Sequence, residues 1–153
     1  MNNYKYTFLL TAMLLTAPCL FAQTDNNNSE NNEGEIILLT KKDFLEKVYN
    51  YESNRDSFVY EGALPCIVDF YADWCPPCRI VDPILKELAK EYKGKIIIYK
   101  VNIDKERALA KAFGIQAIPT YFFFPSNGDP QHLSGAKPRE TFVKMIEEML
   151  LND

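Results

Sequence analysis

The chain has 153 residues, 47% of them hydrophobic and 25% charged, which is the balance of an ordinary globular protein and a length that suits one folded domain. Seventeen Lys plus Arg against twenty-one Asp plus Glu leave a formal charge of −4, with no basic cluster to neutralise a row of phosphates, which argues against nucleic acid as a partner. Four cysteines are too few for a disulfide scaffold of this length, and a single histidine, His132, excludes multi-His metal sites.

In chain order, Met1 to Tyr6 is a short polar start carrying Lys5, Thr7 to Phe21 is almost wholly apolar, and Ala22 is a small residue ahead of Gln23. This is the layout of a secretory signal peptide, with cleavage expected after Ala22 and an uncleaved anchor as the alternative. The apolar run is about fifteen residues, short of the roughly twenty that cross a bilayer as a helix, so no stable membrane insertion is expected. Cys19 follows Pro18 rather than the small residue of a lipid-attachment site, and reads as apolar filler. Residues 23–35, QTDNNNSENNEGE, hold no large apolar side chain and cannot repay the entropy of ordering, so they read as a flexible tether. The folded domain is expected over residues 36–153.

Ile36 to Leu39 predicts a short strand, and Thr40 with Asp43 stands where a helix N-cap belongs, ahead of Phe44, Leu45, Val48 and Tyr49 at helical spacing. Asn50 to Pro65 mixes strand-like Phe58 to Tyr60 with turn residues and reads as a loop with local structure. Cys66 to Tyr71 is an apolar run fit for a strand buried on both faces. A helix follows from about Pro76 to Tyr92, with Ile80, Val81, Ile84, Leu85 and Leu88 as its apolar face and Pro83 expected to bend it. Ile96 to Val101 predicts a strand, Arg107 to Phe113 a short helix stopped by Gly114, and Thr120 to Phe124 a core strand. Asn127-Gly128 then marks a turn, Gln131 to Ser134 a partner strand, and Arg139 to Leu150 a final amphipathic helix. The order β-α-β-α-β-α-β-β-α predicts an α/β fold, a mixed sheet of about five strands with helices on both faces.

The chemistry concentrates in Cys75-Pro76-Pro77-Cys78 at the start of the second helix. Two cysteines at this spacing can close a disulfide within one turn and reopen it on attack by a thiolate. Cys75, beside unpaired N–H groups at the positive end of the helix dipole, is expected to be the reactive thiolate, and Cys78, one turn further in, the resolving one. Pro76 and Pro77 stiffen the ring and remove two N–H donors that would otherwise be available to the Cys75 sulfur. The alternative is half of a zinc site, for which only Cys66 and His132 remain as further ligands after Ala22. Cys66 falls in the central strand and reads as a small core residue.

The segment Val68 to Arg79, VDFYADWCPPCR, resembles the active-site segment of thioredoxins. The likeness continues through Pro83, Val101-Asn102-Ile103-Asp104, Gly114 to Thr120 (GIQAIPT), Gly128 and Gly135. Two departures stand out: Pro76 where thioredoxins carry Gly, and a longer segment ahead of Cys66. The resemblance implies the thioredoxin fold over Ile36 to Leu150. It also implies that Asp69 is a buried carboxylate that takes the proton of Cys78, the alternative being an exposed strand-edge group. It places Lys100 near that carboxylate, either tuning it by charge or as a solvated strand-end residue. Ile118-Pro119 matches the family's cis-proline segment, where a trans bond opening the next strand is the reading without the resemblance. Trp74, Pro77, Ile118, Pro119, Gly135 and Ala136 are then expected to rim an apolar substrate groove, with plain packing as the alternative for Trp74.

These features predict a secreted or periplasmic protein-disulfide reductase that acts as a monomer without metal, flavin or nucleotide. It would reduce protein disulfides through Cys75 and Cys78 and be re-reduced by an electron donor of the cell envelope. Two other functions fit the same residues less well: a thiol oxidase delivering disulfides to exported proteins, which Ile118 argues against, and a thioredoxin-fold binding or chaperone module.

Overall fold

A computed structural model describes residues 34–152. The expected signal peptide of residues 1–22, Cys19 within it and all of the expected tether up to residue 33 lie outside the described residues. From Ile36 onward the elements are β1 (Ile36–Leu38), α1 (Lys41–Lys47), β2 (Cys66–Tyr71), α2 (Pro76–Glu91), β3 (Ile97–Asn102), α3 (Arg107–Ala112), β4 (Thr120–Phe124), β5 (Gln131–Ser134) and α4 (Arg139–Met145). The strands form one mixed sheet in the order β1-β3-β2-β4-β5. β1 and β2 flank β3 in parallel, whereas β4 runs antiparallel to β2 and β5 antiparallel to β4. This is the expected α/β architecture, with β2 and β3 at its centre.

Because successive strand residues face opposite sides, β2 divides its side chains between two cores. Ile67 joins Ile98, Tyr121 and Phe123 beneath Val81, Leu85 and Leu88 of α2 and Phe142, Ile146 and Leu150 from the C-terminal helix. Cys66, Val68 and Phe70 join Tyr99, Val101 and Phe124 beneath Phe44 and Val48 of the first helix region and Leu109 of α3. Helices therefore cover both faces. Each fully buried Leu, Ile or Phe in these layers contributes about 1.5–3 kcal/mol from removal of apolar surface from water. Asp69 shares the Ile67 side, and is the only buried carboxylate among the described residues.

Local sequence explains the helix starts. Thr40 caps α1 by accepting the Asp43 N–H at 3.1 Å, while the Asp43 carboxylate accepts the Thr40 N–H, the reciprocal pair its spacing predicts. α2 runs unbroken through Pro83, which lies on the exposed side, where the Arg79 carbonyl that loses its helical partner can be hydrated.

Two expectations need correction. Ile80 is 67% exposed instead of lying on the apolar face. With Val81, Leu85 and Leu88 fixed against the sheet, a residue one step earlier is rotated about 100° around the helix and points outward. The C-terminal helix is not α-helical to its end: at Ile146–Leu150 it becomes a π-helical turn, in which Leu151 N–H donates to the Ile146 carbonyl at 3.0 Å. The residue 50–65 segment is a loop with local structure, as expected. A single bridge joins Tyr49 to Tyr60, and the Tyr49, Tyr51 and Phe58 rings extend the second core through edge and stacking contacts with Phe44, Phe113 and Phe124.

Candidate active site

β2 delivers the chain to the site and α2 carries it away. Cys75 is the N-cap of α2, in an extended conformation, with its own N–H bound to the Ala72 carbonyl at 3.1 Å. Pro76 and Pro77 fill the first two helical positions and have no N–H to offer, so the Cys78 N–H is the first donor of the helix. It donates to the Cys75 sulfur at 3.2 Å. That bond is the cap interaction of the helix, made by sulfur in place of the usual oxygen. Cys75 and Cys78 are joined as a disulfide with Cα atoms 5.3 Å apart. Both are buried, packed with Ala72 and flanked by Tyr71, Ile103 and Ile118.

Around the disulfide the predicted groove residues divide into three groups. Trp74 is 64% exposed beside Cys75, which excludes a plain packing role. Its indole N–H donates to Asp104 at 2.8 Å, and Asn102 ties the end of β3 to the same loop by donating to Asp73 at 3.2 Å and accepting the Asp104 N–H at 2.9 Å. Ile118 packs against the cluster of Ala72, Cys75 and Cys78, and the Ile118–Pro119 bond is cis, as the resemblance implies. The Pro119 carbonyl accepts the Gly135 N–H at 2.8 Å, which brings Gly135 to the same edge at a φ of +81°. Pro77 is half-buried in the first turn of α2, and Ala136 is exposed just past β5.

On the face of the sheet that α2 covers lies a charged cluster. Asp69 is buried, with Oδ2 3.7 Å from the Lys100 ammonium and Oδ1 without a partner among the described residues. Burial pushes its carboxyl up to about 7; the Lys100 charge pulls against this and the Asp82 carboxylate adds to it. The alternative of an exposed edge carboxylate is thereby overturned, and so is that of a solvated Lys100. Lys100 is buried, sits over the Tyr71 ring at 4.1 Å and hydrogen-bonds Asp82 Oδ1. Tyr121, the register partner of Asp69 on β4, also has a buried hydroxyl without a partner among the described residues.

The sequence reading missed Asp82. It stands four residues after Cys78, on the same side of α2, and that spacing beside a buried Asp69 was the available signal. The residues of the zinc alternative lie apart from the disulfide. Cys66 is in the core on the opposite side of the sheet from Asp69, where burial pushes its thiol up to about 12, and His132 is exposed on β5, stacked on Phe122.

A thioredoxin family model matches residues 36–148. The chain belongs to the thioredoxin family. Among curated relatives it is 38% identical over 112 residues to a thioredoxin of Borreliella burgdorferi, an alignment covering 73% of this chain and 95% of that one. It is 41% identical over 134 residues to the chloroplastic M-type thioredoxin of Spinacia oleracea, covering 87% of this chain and 74% of the relative. The M-type thioredoxin of Pisum sativum is 37% identical over 118 residues, covering 77% and 69%. The family match spans every element from β1 into the π-helical turn, so the fold, the dithiol turn and the charged cluster all fall inside it.

Proposed function

We propose that the protein is a thiol-disulfide oxidoreductase that reduces disulfides of protein substrates through Cys75 and Cys78. The observation that carries this reading is the Cys75 sulfur held at the N-terminus of α2 with the Cys78 N–H aimed at it, on the helix that packs against the sheet face holding a protonatable Asp69. In the reduced protein the same N–H and the helix dipole stabilise the Cys75 thiolate. That thiolate attacks one sulfur of a substrate disulfide; a mixed disulfide forms and the first substrate thiolate leaves. Cys78 then gives its proton to Asp69 and attacks the Cys75 sulfur. The second substrate thiolate departs, the Cys75–Cys78 disulfide closes, and two electrons have passed to the substrate. Trp74, Pro77, Ile118, Pro119, Gly135 and Ala136 are assigned to the surface that receives the substrate chain, and Lys100 to the charge balance of Asp69.

The reading extends to the cell envelope on the strength of the sequence: the polar start, apolar run and Ala22 support export, and an envelope donor would then restore the dithiol. Among the described residues no helix is long and apolar enough to cross a membrane. Fractionation of cells expressing the full chain, with N-terminal sequencing, tests this part; a cytosolic protein starting at Met1 would end it.

Insulin reduction in the presence of dithiothreitol tests the chemistry. Wild type should accelerate precipitation of the insulin B chain, Cys75→Ser should be inactive, and Cys78→Ser should accumulate a mixed disulfide. Equal activity in wild type and Cys75→Ser would sink the catalytic reading. The reduction potential of the pair, measured against glutathione, tests the direction of electron flow. A potential as high as that of strong oxidants, about −120 mV, would replace the reductase with the oxidase.

A further inference from the structure

Asp82 has no part in the dithiol chemistry set out above, yet it makes the hydrogen bond to Lys100. The Lys100 ammonium has two carboxylates within reach: it hydrogen-bonds Asp82 Oδ1, and it stays 3.7 Å from Asp69 Oδ2, beyond hydrogen-bond distance. The Tyr71 ring holds it at 4.1 Å from below, which limits how far it can swing. Asp82 itself is anchored on α2, and its other oxygen is 3.5 Å from Lys86 one turn along. Asp69 is thus left with a cation nearby whose charge is largely answered by another anion.

We propose that Asp82 is a positioning residue of this site: it holds the Lys100 ammonium away from Asp69 and offsets its charge, and so keeps Asp69 fit to accept and return the Cys78 proton. Without Asp82 the nearest anion to Lys100 is Asp69, and a direct pair between them would fix the Asp69 carboxylate in its ionised form. The groups around Asp69 are few. β3 supplies Lys100; β4 supplies the Tyr121 hydroxyl; α2 supplies Asp82, Lys86 behind it, and Cys78 one turn earlier. The C-terminal helix packs on this side with Phe142, Ile146 and Leu150, none of them charged.

The role rests on the reading of Cys75 and Cys78 as a working dithiol, but its central measurement does not need turnover. The Asp69 carboxyl is titrated by ¹³C NMR in the oxidised protein, with Asp69→Asn identifying its signal. Asp82→Asn should move the Asp69 midpoint acidward by about one pH unit, Asp82→Glu should restore it, and Lys100→Met should move it alkaline. In a Lys100→Met background most of the Asp82→Asn shift should disappear, because the effect passes through Lys100. An Asp82→Asn midpoint equal to wild type, or an Asp82→Asn shift undiminished in the Lys100→Met background, overturns the proposal. Asp82→Ser removes the same charge should the Asn variant not fold. In insulin turnover the inflection of rate against pH should follow the NMR midpoint. A wild-type protein that fails to reduce insulin refutes the oxidoreductase reading while leaving the Asp82 titration to stand or fall by itself.

Discussion

Replacing Asp69 by Asn should stabilise the protein at neutral and alkaline pH by an amount that vanishes in acid. In the unfolded chain this carboxyl loses its proton near its ordinary value of 3.8, whereas burial holds the proton in the folded protein up to about 7. Below 3.8 both states are protonated, and the stability linked to this group is fully present. Between the two values the unfolded chain releases the proton and the folded one keeps it, so stability falls as pH rises; above about 7 the loss is complete. The gap between 3.8 and about 7, at 1.36 kcal/mol per pH unit, corresponds to about 4 kcal/mol. Little of this is screened by solvent, because Asp69 is only 2% exposed. Urea unfolding of the oxidised proteins across the range from about pH 4 to about pH 8 reads the effect directly. Any cost of burying the amide is independent of pH, so it cancels when the difference between the two proteins at one end of the range is compared with that at the other. Parallel stability curves for wild type and Asp69→Asn would refute the assignment of Asp69 as a buried, proton-retaining group.

Two further outcomes follow from the same geometry. Cys66 is fully buried and its thiol is pushed up to about 12, so iodoacetamide should leave it unmodified in the native oxidised protein and label it in urea; labelling of the native protein would contradict its place in the core. Gly135 has a φ of +81°, and a Cβ there would meet nothing within 4 Å, so Gly135→Ala should cost about 1–2 kcal/mol through backbone strain alone. An unchanged urea midpoint would show that the turn beside Pro119 accommodates a side chain.

The features that were legible in the sequence are those written in local pattern. β2, β4 and β5 have the boundaries their apolar runs and turn residues predict, each starting just after a proline, Pro65, Pro119 and Pro130. The Thr40 cap, the Cys75–Cys78 turn and Asp69 amid apolar neighbours are also local, and their spacing carries their chemistry. What was not legible depends on the third dimension. Asp82 reads as one more polar residue on an amphipathic helix until the sheet places Lys100 under it. Ile80 reads as core because helical periodicity marks an apolar arc wider than the sheet can cover. The rings of Tyr49, Tyr51 and Phe58 gain a purpose only when Phe124 arrives from far along the chain.

The packing of α2 explains why one helix can serve both the sulfur chemistry and the charged cluster. Val81, Leu85 and Leu88 are buried against the sheet, and their spacing of four and three residues fixes the rotation of the helix about its axis. Fixing that rotation decides everything else along its length. Cys78 and Asp82, one turn apart, are held on the inner side, Asp82 against Lys100 of β3, while Ile80 and the preceding Trp74 are left exposed. Turning α2 by one residue would expose Leu85, bury Ile80 and carry Asp82 away from Lys100. The apolar stripe therefore does more than stabilise the fold: it sets which carboxylate Lys100 meets.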